Sequence, residues 1–426
     1  MLLNKYNLIN NKEIYTLILL ILFSISIRIP FVAVYGDGGL QNEWNALVLN
    51  LVEYKQLGWI NCQFAYYTTK VCFEEGVLLP NLWMPPLYAY YLYFFKFLNL
   101  SEQNYILFIL SSQIFIGAIS VAVFYKINKI FFSNKLSLYS SLLFSIFPLY
   151  IYASVQISSI SLQVFLTVLF FYFFFQLVEK RNLLSIIFFS FTAGLLILLR
   201  GEFYAILILT IFYLFFIKIN IKKILLVVLI STITISPYLI RNVLVFEKIT
   251  MMKSFGYNLW KGNHPYAMKN SLAAGSEIVD EDFQKQLDDV ARDKFLRFNF
   301  EKLYLDKAVK NIKEEPKEHL IFFFKKAASF LLIDFKSLDP NYYNPLHYFP
   351  ILLLGVTSLI GISLSDKKSY KLNYLILILF AYVFIFSTVS ILPRYKLIIL
   401  PIQIILTSSF IQYVINKLKR QKKTLS

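Results

Sequence analysis

The sequence predicts an all-α polytopic membrane protein, and three observations carry that reading. Hydrophobic residues make up 58% of the 426-residue chain and charged residues only 16%, where a soluble protein sits near half and a quarter. The mean hydropathy is +0.61. The apolar excess is clustered, in runs such as Ala205–Ile217 and Leu375–Ile391 that recur along most of the chain. Composition also excludes other classes. Disorder requires low hydrophobicity, collagen and linkers far more than 13 Gly and 13 Pro, and a disulfide scaffold more than two Cys. A formal charge of +17 in a soluble chain would point to nucleic acid. Here basic cytoplasmic loops explain it more simply, and no nucleic-acid partner is expected.

A bilayer-spanning helix needs about 20 predominantly apolar residues. Spans are expected near 14–34, 104–126, 136–153, 155–178, 183–200, 203–218, 223–240, 347–365, 372–392 and 395–416. The first reads as a retained span and not a cleavable signal peptide, being long, preceded by a polar stretch and without a small-residue cleavage site. Two further stretches are ambiguous: 82–98, opening at Pro85-Pro86, and 319–333, interrupted by Lys325-Lys326. Loop charge arbitrates. The basic segments Lys126–Lys135, Glu179–Arg181, Lys218–Lys223, Asp366–Lys371 and Lys417–Lys423 share one side only if neither stretch crosses. Both are therefore expected to lie at the interface. That gives ten crossings with both termini cytoplasmic, in a bundle of about ten to twelve membrane helices.

Two long loops then share the outer face of a single membrane domain, over 35–103 and 241–346. The first is acid-rich, with Asp37, Glu43, Glu53, Glu74 and Glu75. In the second, Asp282 is expected to cap a surface-lying amphipathic helix whose Phe283, Leu287, Val290 and Ala291 share a face. No sequence repeat stands out.

Asp37 lies in Tyr35-Gly36-Asp37-Gly38-Gly39, directly beyond the first span. A carboxylate there is a candidate general base for an acceptor hydroxyl, if held within hydrogen-bond reach. The plain alternative is a turn residue, since Asp beside Gly is ordinary turn chemistry. Glu43 is a weaker candidate, because Glu43, Leu47 and Asn50 read as one helix face. Arg28, Arg200, Arg241 and Arg394 sit at expected outer ends of spans, against the cytoplasmic bias of the lysines. Guanidinium suits bidentate phosphate binding, so the group argues for an anionic ligand. Interfacial snorkelling is the alternative, preferred for Arg28.

Metal chemistry has little support. His264, His319 and His347 are scattered, and no His-x-x-x-His or Cys-x-x-Cys spacing occurs. Cys62 and Cys72 lie in the first outer loop, where an oxidising compartment would permit a disulfide; free thiols fit equally well. Neither a phosphate-cradling glycine loop nor a serine-hydrolase elbow is present.

Several ordered motifs run through the chain. Asp37 is followed by Trp44-Asn45-Ala46-Leu47-Val48-Leu49-Asn50-Leu51, then by Met84-Pro85-Pro86-Leu87-Tyr88 and Ala193-Gly194-Leu195-Leu196-Ile197-Leu198-Leu199-Arg200. The most specific stretch is Ser236-Pro237-Tyr238-Leu239-Ile240-Arg241-Asn242 with Gly256-Tyr257-Asn258-Leu259-Trp260-Lys261-Gly262-Asn263. Arg394-Tyr395 with Pro401 closes the series. In this order the motifs resemble those of the GT-C glycosyltransferases that use polyprenyl-phosphate sugars, among them protein mannosyltransferases, lipid A aminoarabinose transferases and lipopolysaccharide glycosyltransferases. The resemblance covers nearly the whole chain. There are departures. Gly38 stands where relatives often have a second acid, Ser159-Ile160 where many have Ser-Glu, and Gly201 where Pro is frequent after the arginine.

The resemblance implies an inverting transferase in a plasma membrane of bacterial type, with its site facing the exterior. Asp37 would deprotonate an acceptor hydroxyl on a glycolipid, a glycan or a protein. Arg200, Arg241 or Arg394 would meet the phosphate of a polyprenyl-phosphate sugar, and Tyr35, Asn242, Asn258, Trp260, Asn263, His264 and Tyr395 would line the substrate pocket. No cofactor and no essential metal are implied. Two other classes remain: a lipid-linked glycan flippase or transporter, and an inactive scaffold. Against transport, the spans hold little charge and the polar signal gathers in two loops on one face.

Overall fold

A computed structural model of the chain describes residues 11–40, 42–60, 78–265, 268, 281–290, 295–334, 344–364 and 369–425. The chain opens with α1 (Asn11–Tyr35) and continues into a first loop of α2 (Asn42–Tyr54), β1 (Gly58–Ile60), β2 (Leu78–Pro80) and α3 (Pro86–Lys96). The strands pair antiparallel, with Gly58 opposite Pro80 and Trp59 opposite Leu79. Next come α4 (Glu102–Phe131), α5 (Asn134–Ile146), α6 (Pro148–Ser154), α7 (Ile160–Lys180), α8 (Leu183–Leu199), α9 (Phe203–Phe216) and α10 (Ile221–Phe246). The second loop carries α11 (Phe255–Gly262), α12 (Glu281–Val290), α13 (Leu296–Glu314) and α14 (Pro316–Leu331). The last group is α15 (Pro345–Ser363), α16 (Tyr370–Thr388), α17 (Pro393–Lys396) and α18 (Leu400–Leu425).

Side-chain caps set where several long helices begin. Ser101, Asn182, Asn220, Asn344 and Ser369 accept from backbone N–H groups in the first turns of α4, α8, α10, α15 and α16, meeting donors that a helix start leaves unpaired. Among the described residues, six helices are long and apolar enough to cross a membrane: α1, α4, α7, α10, α15 and α16. This is an integral multi-pass membrane protein. The expected span 136–153 is not one helix. Pro148 lacks an N–H and forces Phe147 out of helical geometry, so α5 and α6 meet at 54° and make a seventh crossing only as a bent pair. α8 and α9 are apolar but shorter. The expected last span also changes: Arg394 and Tyr395 form their own turn, and the long helix starts at Leu400.

The stretch 82–98 holds only the 11-residue α3, and 319–333 only the 16-residue α14. Basic segments gather at one end of the bundle. Lys129 pairs with Glu13 at 2.7 Å, Lys371 pairs with Glu179, and the Lys223 amine donates to Arg181 O. α1 packs on α4, α4 on α5 and α7, α7 on α8, and α8 on α10; α18 packs on α15 and α5. The second loop builds a smaller core of its own from Tyr257, Leu259, Trp260, Phe283, Leu287, Phe300, Tyr304 and Ala308. Phe283 and Leu287 are thus buried as their periodicity predicts. Asp282, however, sits inside the first turn of α12, where a carboxylate favours the helix N-terminus, and is not its cap. Arg297 stacks on Trp83, 4.9 Å from the ring centre, and so ties the second loop to the first.

Candidate active site

α1 closes with Gly36 N donating to Val32 O, and the chain turns immediately onto the α6–α7 connection. There Asp37 N donates to Val155 O at 3.2 Å, and Asp37 Oδ2 accepts from Ile157 N at 2.6 Å. Gln156 Nε2 donates to Tyr35 O. A turn aspartate bonds its own neighbours; this one is gripped by a residue 120 positions away. The grip holds one carboxylate oxygen of a half-buried side chain in place. Behind it, Gln113 donates to Gln156 O and accepts from the hydroxyl of the fully buried Tyr88. Burial pushes the Tyr88 phenol well above its usual range, and the charges of Tyr91, Tyr105 and Asp37 add to the shift. Tyr35 itself is exposed, its ring against Phe31 and Tyr152. Glu43 occupies the first turn of α2, half-buried, on the face that carries the buried Leu47 and Asn50. That face docks on the hairpin, where Asn50 donates to Gly58 O.

The arginines separate into two kinds. Arg200 ends α8, and its Nε donates to Glu202 Oε1 at 2.8 Å. Its guanidinium carbon lies 5.2 Å from the centre of the Tyr395 ring, and that of Arg394 lies 5.6 Å from the same ring. Two arginines separated by 193 intervening residues thus converge on one tyrosine, which stacks on Phe386 at 4.6 Å. Arg394 is exposed and, among the described residues, has no hydrogen-bond or ion-pair partner. The acid and this basic cluster are linked through α6: Tyr150 donates to Leu397 O at 2.8 Å, while Val155, just beyond α6, accepts from Asp37.

Arg241 is different. Its Nη1 donates to Asn81 O and Asn242 Oδ1, and its Nη2 to Leu57 O. It is a staple between α10 and the first loop, and those donors are occupied. Arg28 corrects the expectation of snorkelling. It is 1% exposed inside the bundle, with Nη1 on Ser24 and Nε unpartnered. It lines a cavity of about 20 Å³ with Gly117, Ser120, Tyr150, Ser154 and Ser161.

The residues expected to line a pocket largely hold backbone instead. Asn242 donates to Thr250 O, Asn258 to Ser254 O, and Asn263 to Leu259 O and Thr388 O. Trp260 is buried, with His264 edge-on at 5.2 Å. The two glycines of that motif mark close approaches. A Cβ at Gly256 would lie 2.4 Å from Glu301 O, and one at Gly262 1.6 Å from Val389 O. The Glu301 carboxylate meets the backbone of Phe255 and Gly256 at the start of α11, and burial raises its pKa. Cys62 and Cys72 lie outside the described residues.

Residues missed from sequence also shape the site. Asn81, fully buried, accepts on Oδ1 from Trp59 Nε1 and from the backbone of Trp83 and Met84, fixing the turn before Pro85-Pro86. Glu202 is the partner of Arg200, and Lys326 lies buried beneath the Gly262–Asn263 turn. A glutamate two residues past the signature arginine was a readable signal for Glu202. Nothing local marks Asn81.

Residues 84–240 match the family model for dolichyl-phosphate-mannose-protein mannosyltransferases. Among solved structures, the chain is similar to the oligosaccharyltransferase AglB from Archaeoglobus fulgidus in complex with an inhibitory peptide and a dolichol-phosphate. The match covers 97% of this chain and 52% of that one at 13% identity, with a TM-score of 0.54. The apo form of the Archaeoglobus fulgidus oligosaccharyltransferase matches over 97% and 51%, at 13% identity and a TM-score of 0.56. The likeness lies in the fold: the bundle follows that of these oligosaccharyltransferases over almost the whole chain. ArnT from Cupriavidus metallidurans bound to undecaprenyl phosphate aligns over 91% of this chain and 76% of its own at 11% identity and a TM-score of 0.40. No curated protein sequence matches. The chain spans about half the length of the oligosaccharyltransferase it matches. The family match opens at Met84-Pro85-Pro86 and ends just before Arg241, so Arg200 falls inside it while Asp37 and Arg394 fall outside.

Proposed function

We propose that this protein is an inverting glycosyltransferase of the GT-C type that moves a sugar from a polyprenyl-phosphate donor to a hydroxyl acceptor at the exterior face of a bacterial plasma membrane. The observation that carries the reading is the convergence of Arg200 and Arg394 on the Tyr395 ring, joined through α6 to the segment that grips Asp37. Asp37 takes the proton of the acceptor hydroxyl through the oxygen that Ile157 does not hold. The acceptor oxygen bonds to the anomeric carbon as the bond from that carbon to the phosphate oxygen breaks. The lipid phosphate leaves with the electron pair and one more negative charge, so fixed guanidinium groups help most in the transition state. Displacement from the opposite face inverts the anomeric carbon. The acceptor class is a hydroxyl on a glycolipid, a glycan or a protein. Arg241, expected as a third phosphate ligand, enters this reading only as the staple that shapes the first loop.

One observation favours a second reading, transport of a lipid-linked glycan. Arg28 and Gln163 are buried inside spans, with Arg28 Nε and both Gln163 amide atoms unpartnered among the described residues. Buried polar groups within spans mark substrate pathways in transporters.

The deciding experiment is sugar transfer by purified protein, with a panel of polyprenyl-phosphate sugars, an envelope lipid extract as acceptor source, and Asp37→Asn alongside. The expected result is transfer from one donor that is lost in a folded mutant. Transfer that survives the substitution removes Asp37 as base and turns attention to Glu43. Lipid-linked glycan crossing vesicles without any bond change would establish the transport reading.

A further inference from the structure

Lys326 lies in α14 with none of its surface exposed. Its Nζ donates to Gly262 O at 2.9 Å, Val389 O at 2.8 Å and Asn263 Oδ1 at 3.3 Å. An ammonium has three hydrogens, and here they meet three oxygens. No carboxylate pairs with it among the described residues, and burial alone pushes the amine down to about 7. A buried amine without an acid is costly, and it persists where its hydrogen bonds do structural work that an apolar side chain cannot. The oxygens it collects belong to two separate segments. Gly262 and Asn263 end α11, and Val389 opens the strand-like run into Arg394.

The same helix grips that run from its other side. Lys396, also buried, donates to Leu332 O, and Gln403 Nε2 donates to Leu331 O at 3.0 Å. Asn263 Nδ2 adds a direct bond to Thr388 O at 2.8 Å. The turn bearing Arg394 and Tyr395 is therefore suspended between two amine anchors, one before it and one after it, and both anchors end on α14. Neither Arg394 nor Tyr395 is otherwise tied down by side-chain hydrogen bonds among the described residues.

We infer that Lys326 is a positioning residue for the Arg394–Tyr395 turn: through Val389 and the Gly262–Asn263 turn it sets that turn against Arg200, the arrangement that meets the phosphate of a lipid-phosphate donor. The word donor rests on the function proposed above; the clamp itself does not.

The test has two arms. Lys326→Met removes three donors and keeps the length of the side chain, and Lys326→Gln keeps a shorter amide donor. Amide hydrogen exchange on the purified full chain is expected to quicken about tenfold over residues 388–396 and 262–264 in Lys326→Met, and less in Lys326→Gln, with α2 and the turn at Asp37 unchanged. In transfer assays the KM for the lipid-phosphate donor is expected to rise about tenfold, with the KM for the acceptor unaltered. A residue needed only for folding would lower the active fraction, and hence the apparent kcat, without moving one KM against the other. Unchanged exchange in those segments overturns the inference, as does an equal rise in both KM values. Failure of both variants to fold also overturns it, because Lys326 would then support the whole bundle and not one turn. The exchange arm needs no turnover, so inactivity of the unaltered protein would count against the proposed function and leave the clamp to be judged by exchange.

Discussion

Arg394 and Arg241 both stand near the end of an apolar helix, both lie over an aromatic ring, and local sequence makes them equivalent. Their surroundings separate them. Arg241 donates to three oxygens, two of them backbone carbonyls of the first loop, whereas Arg394 is exposed and lies over Tyr395. One is a fastener and the other an exposed cation whose guanidinium is bonded to nothing among the described residues. The same division runs through the motifs: Gly262, Asn263, Asn242 and Trp260 hold segments together, while Asp37, Arg200 and Arg394 are the residues to which the proposed function gives chemical roles.

The largest effect should come from breaking a fastener at its tightest point. In Gly262→Ala the new Cβ would meet the Val389 carbonyl at 1.6 Å. The atoms it meets are backbone and not the end of a flexible side chain, so segments must part, and a loss of about 4 kcal/mol or more of stability is expected. Gly38→Ala, next to the proposed base, has nothing within 4 Å of the added atom and should change stability by less than about 0.5 kcal/mol. Thermal unfolding in detergent measures both. Equal shifts would mean that the motif glycine marks no close contact.

Neutralising the two arginines over Tyr395 should cost activity. Arg394→Gln and Arg200→Gln are each expected to lower kcat about a hundredfold, the scale of losing one donor to a developing oxyanion. Arg394 is exposed, so Arg394→Gln should leave the unfolding temperature close to that of the unaltered protein. Arg200 also pairs with Glu202, so its substitution frees a carboxylate at the site, and the larger loss is expected there. Turnover that tolerates both changes would remove the phosphate role.

How much of this was legible in the sequence follows the same division. Apolar periodicity predicts the bundle, and the basic segments predict which loops gather at one end, because both signals are summed over many residues. Asp37, Arg200, Arg394 and Tyr395 stand out as motif residues, and the meeting of Arg200 and Arg394 over Tyr395 is a property of the fold. What escaped was the fate of individual polar groups. Nothing near Arg28 distinguishes a side chain that reaches the interface from one sealed among Ser24, Ser120 and Ser154, since the serines come from three different helices. Asn81 and Lys326 escaped for the same reason: each collects partners far away in sequence. The kink at Pro148 was readable, because proline and the residue before it both resist a continuous helix.

Arg241→Met comes next in size. It takes the charged donor from the carbonyls of Leu57 and Asn81, which keep only Asn81 N at 3.0 Å and the Tyr238 hydroxyl at 3.5 Å, at a cost of about 1–3 kcal/mol in all. Stability should fall while the folded fraction keeps its donor KM. A raised donor KM in well-folded protein would instead return Arg241 to the phosphate site.

The smallest effect is expected at Arg28, the most buried of the four. Its Nη1 is held by Ser24 alone, and its Nε faces a cavity with room for one or two waters. Replacing a buried charge that has no acidic partner with an apolar side chain of similar length is often neutral or stabilising. Arg28→Met should therefore shift stability by no more than about 1 kcal/mol in either direction. Its effect on turnover should be smaller than that of Arg200→Gln or Arg394→Gln. A large loss of stability would show that the cavity supplies the missing counter-charge. A turnover loss as deep as at Arg394, with stability intact, would place Arg28 on the path of the substrate and move the balance toward transport through the bundle.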